Sequence, residues 1–287
     1  MLFHGAFAKT MDPMMADANQ PFLRLLGATL VLVSILCAGV VQAAEDRLAR
    51  VLARGVMRVC IWPSYYAVTY RNPRDGLLRG IDIDLSKEFA RDLGVRLEYV
   101  EISFTQLLPA LEGDKCDVAM MAVSITQERM RRVDFTRPYL RSSIVLVAPK
   151  ASTVIRSWDD IDKPGVVLAV TAGTVMEDYF RAALRSARLM VLKATDTREE
   201  EVLSGRADAF ATDYAYSRRV EMEYDWARVI EPRLAVGVSN YGYAVPKNSP
   251  DWLGRVEQFV ATVKGDGRLK TSAKLHGLEA IALYEKD

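Results

Sequence analysis

Short apolar runs alternate with amphipathic segments along most of the chain. Residues 118–123 form a wholly apolar run, which is typical of a parallel strand that is covered on both faces. Leu85, Phe89 and Leu93 recur at the spacing that places side chains on one face of a helix. Strands and helices of this length, in alternation, predict parallel α/β units.

The alternation occurs in two series, which indicates two lobes. The chain has 287 residues of which 50% are hydrophobic, enough to build two modest cores. The last long helix has a predicted buried stripe at Leu253, Val256, Phe259 and Val263. Strands are predicted at residues 57–62, 96–102, 118–123, 143–149, 166–170, 189–192, 208–211 and 241–245.

The apolar run at 118–123 stops at a polar loop that opens a helix. Thr126 is the predicted N-cap, so the free backbone N–H groups of the first turn would point back toward the end of the strand. Such groups attract anions, and Arg129 adds a fork of donors that can hold a carboxylate. The junction therefore predicts a carboxylate site. The alternative is a capped surface helix with a solvated arginine.

Two elements at this junction carry a resemblance to a known family. Residues 124–129 read Ser-Ile-Thr-Gln-Glu-Arg, and residues 133–139 read Val-Asp-Phe-Thr-Arg-Pro-Tyr. At this spacing they resemble the family 3 periplasmic solute-binding proteins, which are the amino-acid receptors of ABC importers. The Gly-x-Asp-x-Asp-Leu pattern at residues 80–85 is similar to another element of that family. For Asp82 and Asp84 we expect only that they offset the helix dipole.

The resemblance covers residues 47–278 and implies a two-lobed periplasmic binding protein fold of type II. Each lobe would be a mainly parallel sheet flanked by helices. Residues 44–139 and 240–287 would form the first lobe, and residues 140–239 the second. Two hinge strands, near residues 140–142 and 237–240, would join them.

The resemblance also implies a ligand site between the lobes. Arg129 and the N–H groups near Ser124 would hold the carboxylate of an amino acid, and Asp213 its ammonium group. The alternative for Asp213 is an N-cap for the helix at Tyr214, and both roles are compatible. For Trp62 and Phe104 the alternative is core packing. The implied ligand-binding residues are Arg129, Ser124, Asp213, Thr174, Ala122, Trp62, Tyr65 and Phe104.

Two departures from the family pattern bear on specificity. Ala122 replaces a frequent glycine or serine. Trp62 occupies the place of an acidic residue found in receptors for basic amino acids, so we do not expect arginine, lysine or histidine as the ligand. The aromatic residues favour a ligand with an apolar or aromatic portion.

These features predict a binding protein that captures an amino acid or related small carboxylate and delivers it to an ABC permease, without enzymatic activity. Residues 162–166 and 186–188 also resemble the periplasmic cyclohexadienyl (arogenate/prephenate) dehydratases, which share the fold. Those enzymes use as general acid a glutamate three residues after the aspartate that corresponds to Asp213. Tyr216 stands there, and a phenol with a pKa near 10 is a poor acid for that step. A periplasmic sensor or accessory subunit is a third possibility.

Charge and composition exclude other classes of function. The 38 basic and 37 acidic residues give a net charge of +1, which does not suggest a nucleic-acid or anionic-membrane surface. His4 and His276 are the only histidines, and no P-loop or Gly-x-Ser-x-Gly occurs. We expect a monomer with no catalytic residues, metal or cofactor.

The N-terminus has the pattern of a targeting segment. Residues 25–41 are apolar, Arg24 precedes them, and residues 41–43 resemble a cleavage site. We predict a signal peptide at residues 1–43 and a periplasmic location, with translation starting at Met1, Met14 or Met15. The alternative is an uncleaved membrane anchor.

Cys60 and Cys116 remain after cleavage. If both lie in neighbouring extended strands, they are several residues apart at about 3.3 Å each. A disulfide needs Cα atoms within about 7 Å. The pattern therefore predicts two buried free thiols.

Overall fold

A computed structural model describes residues 46–193 and 197–284. The predicted signal peptide lies outside these residues. Within them the strands are β1 (Val56–Ile61), β2 (Ser64–Tyr65), β3 (Thr69–Arg71), β4 (Leu78–Arg79), β5 (Arg96–Glu101), β6 (Val118–Ser124), β7 (Val133–Phe135), β8 (Leu140–Ser142), β9 (Ile144–Pro149), β10 (Val167–Thr171), β11 (Arg188–Leu192), β12 (Ala209–Asp213), β13 (Ala227–Ile230) and β14 (Ser239–Pro246).

Helices follow most of the parallel strands. They are α1 (Arg47–Arg54), α2 (Ile81–Leu93), α3 (Leu107–Glu112), α4 (Gln127–Met130), α5 (Val175–Ala183), α6 (Thr197–Leu203), α7 (Tyr214–Glu223), α8 (Pro250–Gly265) and α9 (Arg268–Leu275). Short 3-10 turns occur at Phe104–Gln106, Trp158–Asp160 and Glu279–Ile281. None of the helices at residues 47–275 combines the length and apolar character that a membrane span requires.

Two main sheets organise the fold, as the two series of strands predicted. The first has the order β5-β1-β6-β14-β7, with β8 also paired to β14. The second has the order β11-β10-β12-β9-β13. Strand β1 is parallel to β5 and β6, and β10 is parallel to β11 and β12. The strands β9 and β14, which were also predicted, join these sheets in the antiparallel direction.

The chain crosses between the sheets along one pair of strands. β8 pairs antiparallel with the start of β14, with Ser142 opposite Ser239. After completing the second sheet, the chain therefore returns to the first through β14. This pairing lies where the resemblance implied the two hinge strands.

The first sheet is covered on both faces. Phe89 of α2 stacks against Trp252 and Phe259 of α8, with ring centroids 5.6 Å and 4.5 Å apart. On the other face, Leu107 and Leu111 of α3 belong to a separate buried cluster. Every residue of β6 is buried. The wholly apolar run therefore has the two-sided cover that its composition predicted.

The prediction of two free thiols is wrong, because Cys60 and Cys116 form a disulfide with Cα atoms 5.6 Å apart. Strand β6 begins only at Val118, so Cys116 does not lie in an extended strand. The turn after α3 places it instead, where the N–H of Lys115 donates to the carbonyl of Ala110 at 2.9 Å. Both cysteines then share the face of the sheet that α3 covers.

Candidate functional site

The end of β6 forms the first part of the site. The strand stops at Ser124, and the side chain of Thr126 accepts the N–H of Arg129 at 3.2 Å. The predicted N-cap is therefore confirmed. Because the helix α4 is one short turn, the arginine side chain stays beside the end of the strand.

Arg129 is buried, so the alternative of a surface helix with a solvated arginine is wrong. Its Nη1 donates to the carbonyl of Ser124 and its Nη2 to the carbonyl of Gly173, both at 2.9 Å. The guanidinium also lies 5.7 Å from the ring centroid of Phe104. Burial lowers the pKa of Arg129 below its ordinary value. One cation thus contacts backbone from both halves of the molecule.

Asp213 forms the opposite part of the site, at the end of β12. Its Oδ1 accepts the backbone N–H of Tyr216 at 3.0 Å, so it is the N-cap of α7. Its Oδ2 accepts the hydroxyl of Tyr241 at 2.8 Å and that of Tyr65. Burial first, and then the charge of Asp213, raise the pKa of both phenols well above 10, so both stay protonated and donate. The carboxylate is 2% exposed and held in one orientation.

A cavity with about 430 Å³ of empty space, including its open part, lies between Arg129 and Asp213. All eight residues that the resemblance implied lie on its wall. Trp62 and Phe104 contact each other there, with ring centroids 5.0 Å apart, and both also pack against the core. The wall also includes seven residues that were not among the predicted ligand-binding residues: Thr171, Val175, Met176, Arg198, Thr212, Tyr216 and Tyr241.

Three of these additional residues, Thr171, Arg198 and Thr212, are polar and buried. The hydroxyl oxygen of Thr171 has no hydrogen-bond partner among the described residues. Arg198 is 4% exposed; its Nη1 donates to the carbonyl of Ala211 at 3.1 Å, and its guanidinium lies 4.2 Å from the ring centroid of Tyr216. Thr171 could have been found, because it ends a parallel strand beside β12. No local pattern marks Arg198.

The hydroxyl of Tyr216 is engaged by two charged groups. It donates to Oε1 of Glu199 at 2.7 Å and accepts from Nη1 of Arg219 at 3.2 Å. Burial is the main cause that raises the pKa of Tyr216 to about 12. The phenol is therefore a weaker acid than an ordinary tyrosine.

Gly173 marks a close approach between the two halves of the molecule. A Cβ built on this residue would lie 2.8 Å from the backbone nitrogen of Thr105. Its φ is +75°, which L side chains rarely adopt. The elements that follow β5 and β10 therefore touch across the cavity, and a glycine permits the contact.

Asp82 has a larger role than the predicted offset of the helix dipole. It lies in the first turn of α2, but its side chain is fully buried. Its Oδ2 accepts the N–H of Ala122 at 2.9 Å and the hydroxyl of Tyr139 at 2.6 Å, and its Oδ1 accepts the hydroxyl of Tyr243 at 3.0 Å. Asp84, in contrast, contacts His276 Nε2 at 2.7 Å near the surface.

The buried Asp82 should make stability depend on pH. Burial raises its pKa from 3.8 to about 6, so the folded state binds this proton more tightly than the unfolded state. That contribution is complete below the unfolded pKa and is lost as pH rises through about 6. Relative to Asp82→Asn, the wild type should gain about 2 kcal/mol in unfolding free energy between pH 7.5 and pH 4.5. Urea unfolding of both proteins across this range measures the difference, and a constant difference would contradict the expectation.

Comparison with known proteins places the chain in a family. Residues 57–277 match the family described as bacterial extracellular solute-binding proteins, family 3. The chain belongs to this family. The solved structure of the ancestral amino acid-binding protein AncCDT-1, a precursor of cyclohexadienyl dehydratase, has a TM-score of 0.73 and 29% identity, covering 80% of this chain and 98% of that chain. The two-lobed α/β fold and the resemblance are thereby confirmed.

Proteins similar to this chain include both an enzyme and an amino-acid-binding protein. The cyclohexadienyl dehydratase of Pseudomonas aeruginosa is 30% identical over 259 residues, which cover 89% of this chain and 95% of that protein. The L-cystine-binding protein TcyJ of Escherichia coli K12 is 26% identical over 234 residues, which cover 79% of this chain and 85% of that protein. Membership in family 3 therefore does not by itself decide between binding and catalysis.

Proposed function

We propose that this family 3 protein is a periplasmic receptor that closes its lobes over an amino acid, or a related small carboxylate, and delivers it to an ABC transporter permease. The observation that carries the proposal is the placement of Arg129 and Asp213. They are buried and opposite in charge, and they line one cavity: Arg129 follows β6 and Asp213 ends β12, strands of two different sheets. An amino acid carries the complementary pair of charges. Since each lobe would hold one end of the ligand, the ligand would favour the closed state.

The residues of the cavity wall favour a ligand whose side chain is uncharged or anionic. Two of the five N–H donors of Arg129 bond to backbone carbonyls, which leaves donors for a carboxylate. Trp62, Tyr65 and Phe104 offer ring surface beside it. The buried Arg198 in the wall would repel a cationic side chain, which agrees with the absence of an acidic residue at Trp62.

The Cys60–Cys116 disulfide supports the periplasmic location, because such bonds persist in oxidising compartments. The signal-peptide pattern of residues 1–43 supports the same location. A permease partner is inferred from the family alone.

Asp213→Asn tests the ammonium site. Loss of the negative charge should weaken binding of an amino acid about tenfold more than binding of its deaminated analogue, because a hydrogen bond to a charged group contributes roughly 1.5–3 kcal/mol. Isothermal titration calorimetry with each amino acid and its keto acid measures the two losses. Asp251→Asn, an exposed change on α8 outside the cavity wall, serves as control. Equal losses for both ligands would leave Asp213 as a helix cap only.

Gly173→Ala tests whether the two lobes must approach each other at this residue for the ligand to bind. The added methyl group would collide with Thr105, so the lobes could not approach fully and affinity should fall at least about tenfold. Gly205→Ala is the matched control, because its φ of +74° is nearly the same and nothing lies within 4 Å of its Cβ. Both variants bear similar backbone strain, and only the first should lose affinity by calorimetry. Equal affinities in the two variants would argue against this contact as part of the closed state.

The second candidate function is a dehydratase, which the P. aeruginosa relative favours. That reaction needs a proton donor, and the resemblance places the donor at Tyr216. A phenol with a pKa of about 12, bonded to Glu199 and Arg219, would donate a proton poorly near neutral pH. Incubation with prephenate and with arogenate, followed by product detection, distinguishes the candidates. Turnover would favour the enzyme.

A further inference from the structure

Strand β6 is irregular where it passes beneath the cavity. In its pairing with β14, Val123 lies opposite Gly242, whereas Ala119 lies opposite Ala244. Over this stretch β6 advances by four residues while β14 advances by two, so β6 contains extra residues and forms a β-bulge. Such a bulge re-aims the residues that follow it, and bulges occur often beside functional sites. The extra residues lie just before Ser124, whose carbonyl holds Arg129.

Ala122 is the strained residue of this bulge. Its φ is +47°, in the left-handed region where a Cβ crowds the following carbonyl oxygen. It is 2% exposed and lies on the cavity wall. A residue other than glycine stays in this conformation only when its surroundings hold it there.

The carboxylate of Asp82 provides that hold. It accepts the Ala122 N–H, and the hydroxyls of Tyr139 and Tyr243 fix the carboxylate in turn. The two rings pack against each other with centroids 4.5 Å apart. Asp82 comes from α2, and the tyrosines come from the segment before β8 and from β14. Three parts of the lobe therefore meet at the carboxylate that accepts the Ala122 N–H.

We propose that Asp82 is a positioning residue for ligand binding: by fixing Ala122 in the left-handed conformation, it sets the place of Ser124 and hence of Arg129. The proposal rests on the proposed function of the cavity. Asp82 itself does not line the cavity. It acts through a chain of contacts from its carboxylate to the Ala122 N–H, along the backbone to the Ser124 carbonyl, and from there to the guanidinium.

The unusual conformation supplies a specific test. Glycine adopts positive φ without support, so Ala122→Gly should remove the need for Asp82. Asp82→Ala should weaken binding about tenfold or more, and should speed hydrogen exchange at the amides of residues 120–124. Loss of the Asp82 side chain should therefore cost little when residue 122 is glycine: the double variant Asp82→Ala/Ala122→Gly should bind within about threefold of Ala122→Gly alone.

A control variant separates this local effect of Ala122→Gly from a general effect of glycine on the stability of the protein. Asn248 also has positive φ, at 59°, and lies in an exposed loop. Asn248→Gly makes the same kind of change at a positive φ outside the cavity wall, and it should leave the affinity of Asp82→Ala unrecovered. If Asp82→Ala does not fold, Asp82→Asn replaces it, with a smaller expected loss of about threefold to tenfold, because one amide oxygen cannot serve all three donors.

The probe is the panel of twenty L-amino acids and their keto acids, screened by thermal shift and then titrated calorimetrically with the strongest responder. Wild-type affinity in the Asp82 variant that folds would overturn the proposal, as would an equal loss when residue 122 is glycine. If neither an amino acid nor a related small carboxylate shifts the wild type, the proposed function fails. The exchange rates of residues 120–124 then still decide whether Asp82 positions the bulge.

Discussion

Replacing Arg129 by alanine should abolish amino-acid binding and leave the protein folded. The change removes the donors that would hold the carboxylate and also the bonds to the carbonyls of Ser124 and Gly173. Two charge-assisted hydrogen bonds to a ligand contribute about 3–6 kcal/mol together, which corresponds to roughly 10² to 10⁴ in affinity. Calorimetric titration measures the loss.

Arg131→Ala is the matched control for this experiment. Arg131 lies two residues further along the chain and is exposed, so the same change of charge occurs outside the cavity. It should keep wild-type affinity, and both variants should show cooperative thermal unfolding. Wild-type affinity in Arg129→Ala would rule out this arginine as the carboxylate clamp.

Removing the Cys60–Cys116 disulfide should lower the free energy of unfolding by about 4 kcal/mol. The bond closes a sequence separation of 56 residues, and the chain-entropy estimate for a loop of that length gives this magnitude. Guanidinium unfolding of the protein and of a Cys60→Ala/Cys116→Ala variant measures the difference.

A thiol count on the denatured, unreduced protein provides the complementary check. It should find neither Cys60 nor Cys116 reactive, and reactivity of both after reduction. If both thiols react before reduction, the cysteines are free, as the strand spacing predicted, and the disulfide is absent.

Much of the site could be predicted because it depends on local pattern. The junction after β6 combines an apolar run, a cap and an arginine within a dozen residues, and each feature has a short-range physical cause. Asp213 was implied by the family resemblance, and it too lies at the end of a strand that opens a helix. The two positions meet because each lies at the end of a parallel strand in its own sheet, and both strand ends face the same cavity.

The features of the structure that the sequence did not predict depend on contacts between residues far apart in the chain. Asp82 is 40 residues from Ala122, and the sequence contains no sign that β6 would carry a bulge at that point. Cys116 was misplaced because the turn after α3, and not the strand, determines its position. Arg198 enters the cavity from α6 with no motif around it.

The most direct test of the receptor function is a thermal unfolding screen of the purified protein against the twenty amino acids, related amines and keto acids, prephenate and arogenate. Ligand at about a hundred times its dissociation constant should add roughly 2.7 kcal/mol, a shift of several degrees. We expect a shift from an amino acid or close analogue and no turnover of prephenate or arogenate. A response confined to prephenate or arogenate, with product formed, would contradict the receptor function and establish the enzyme.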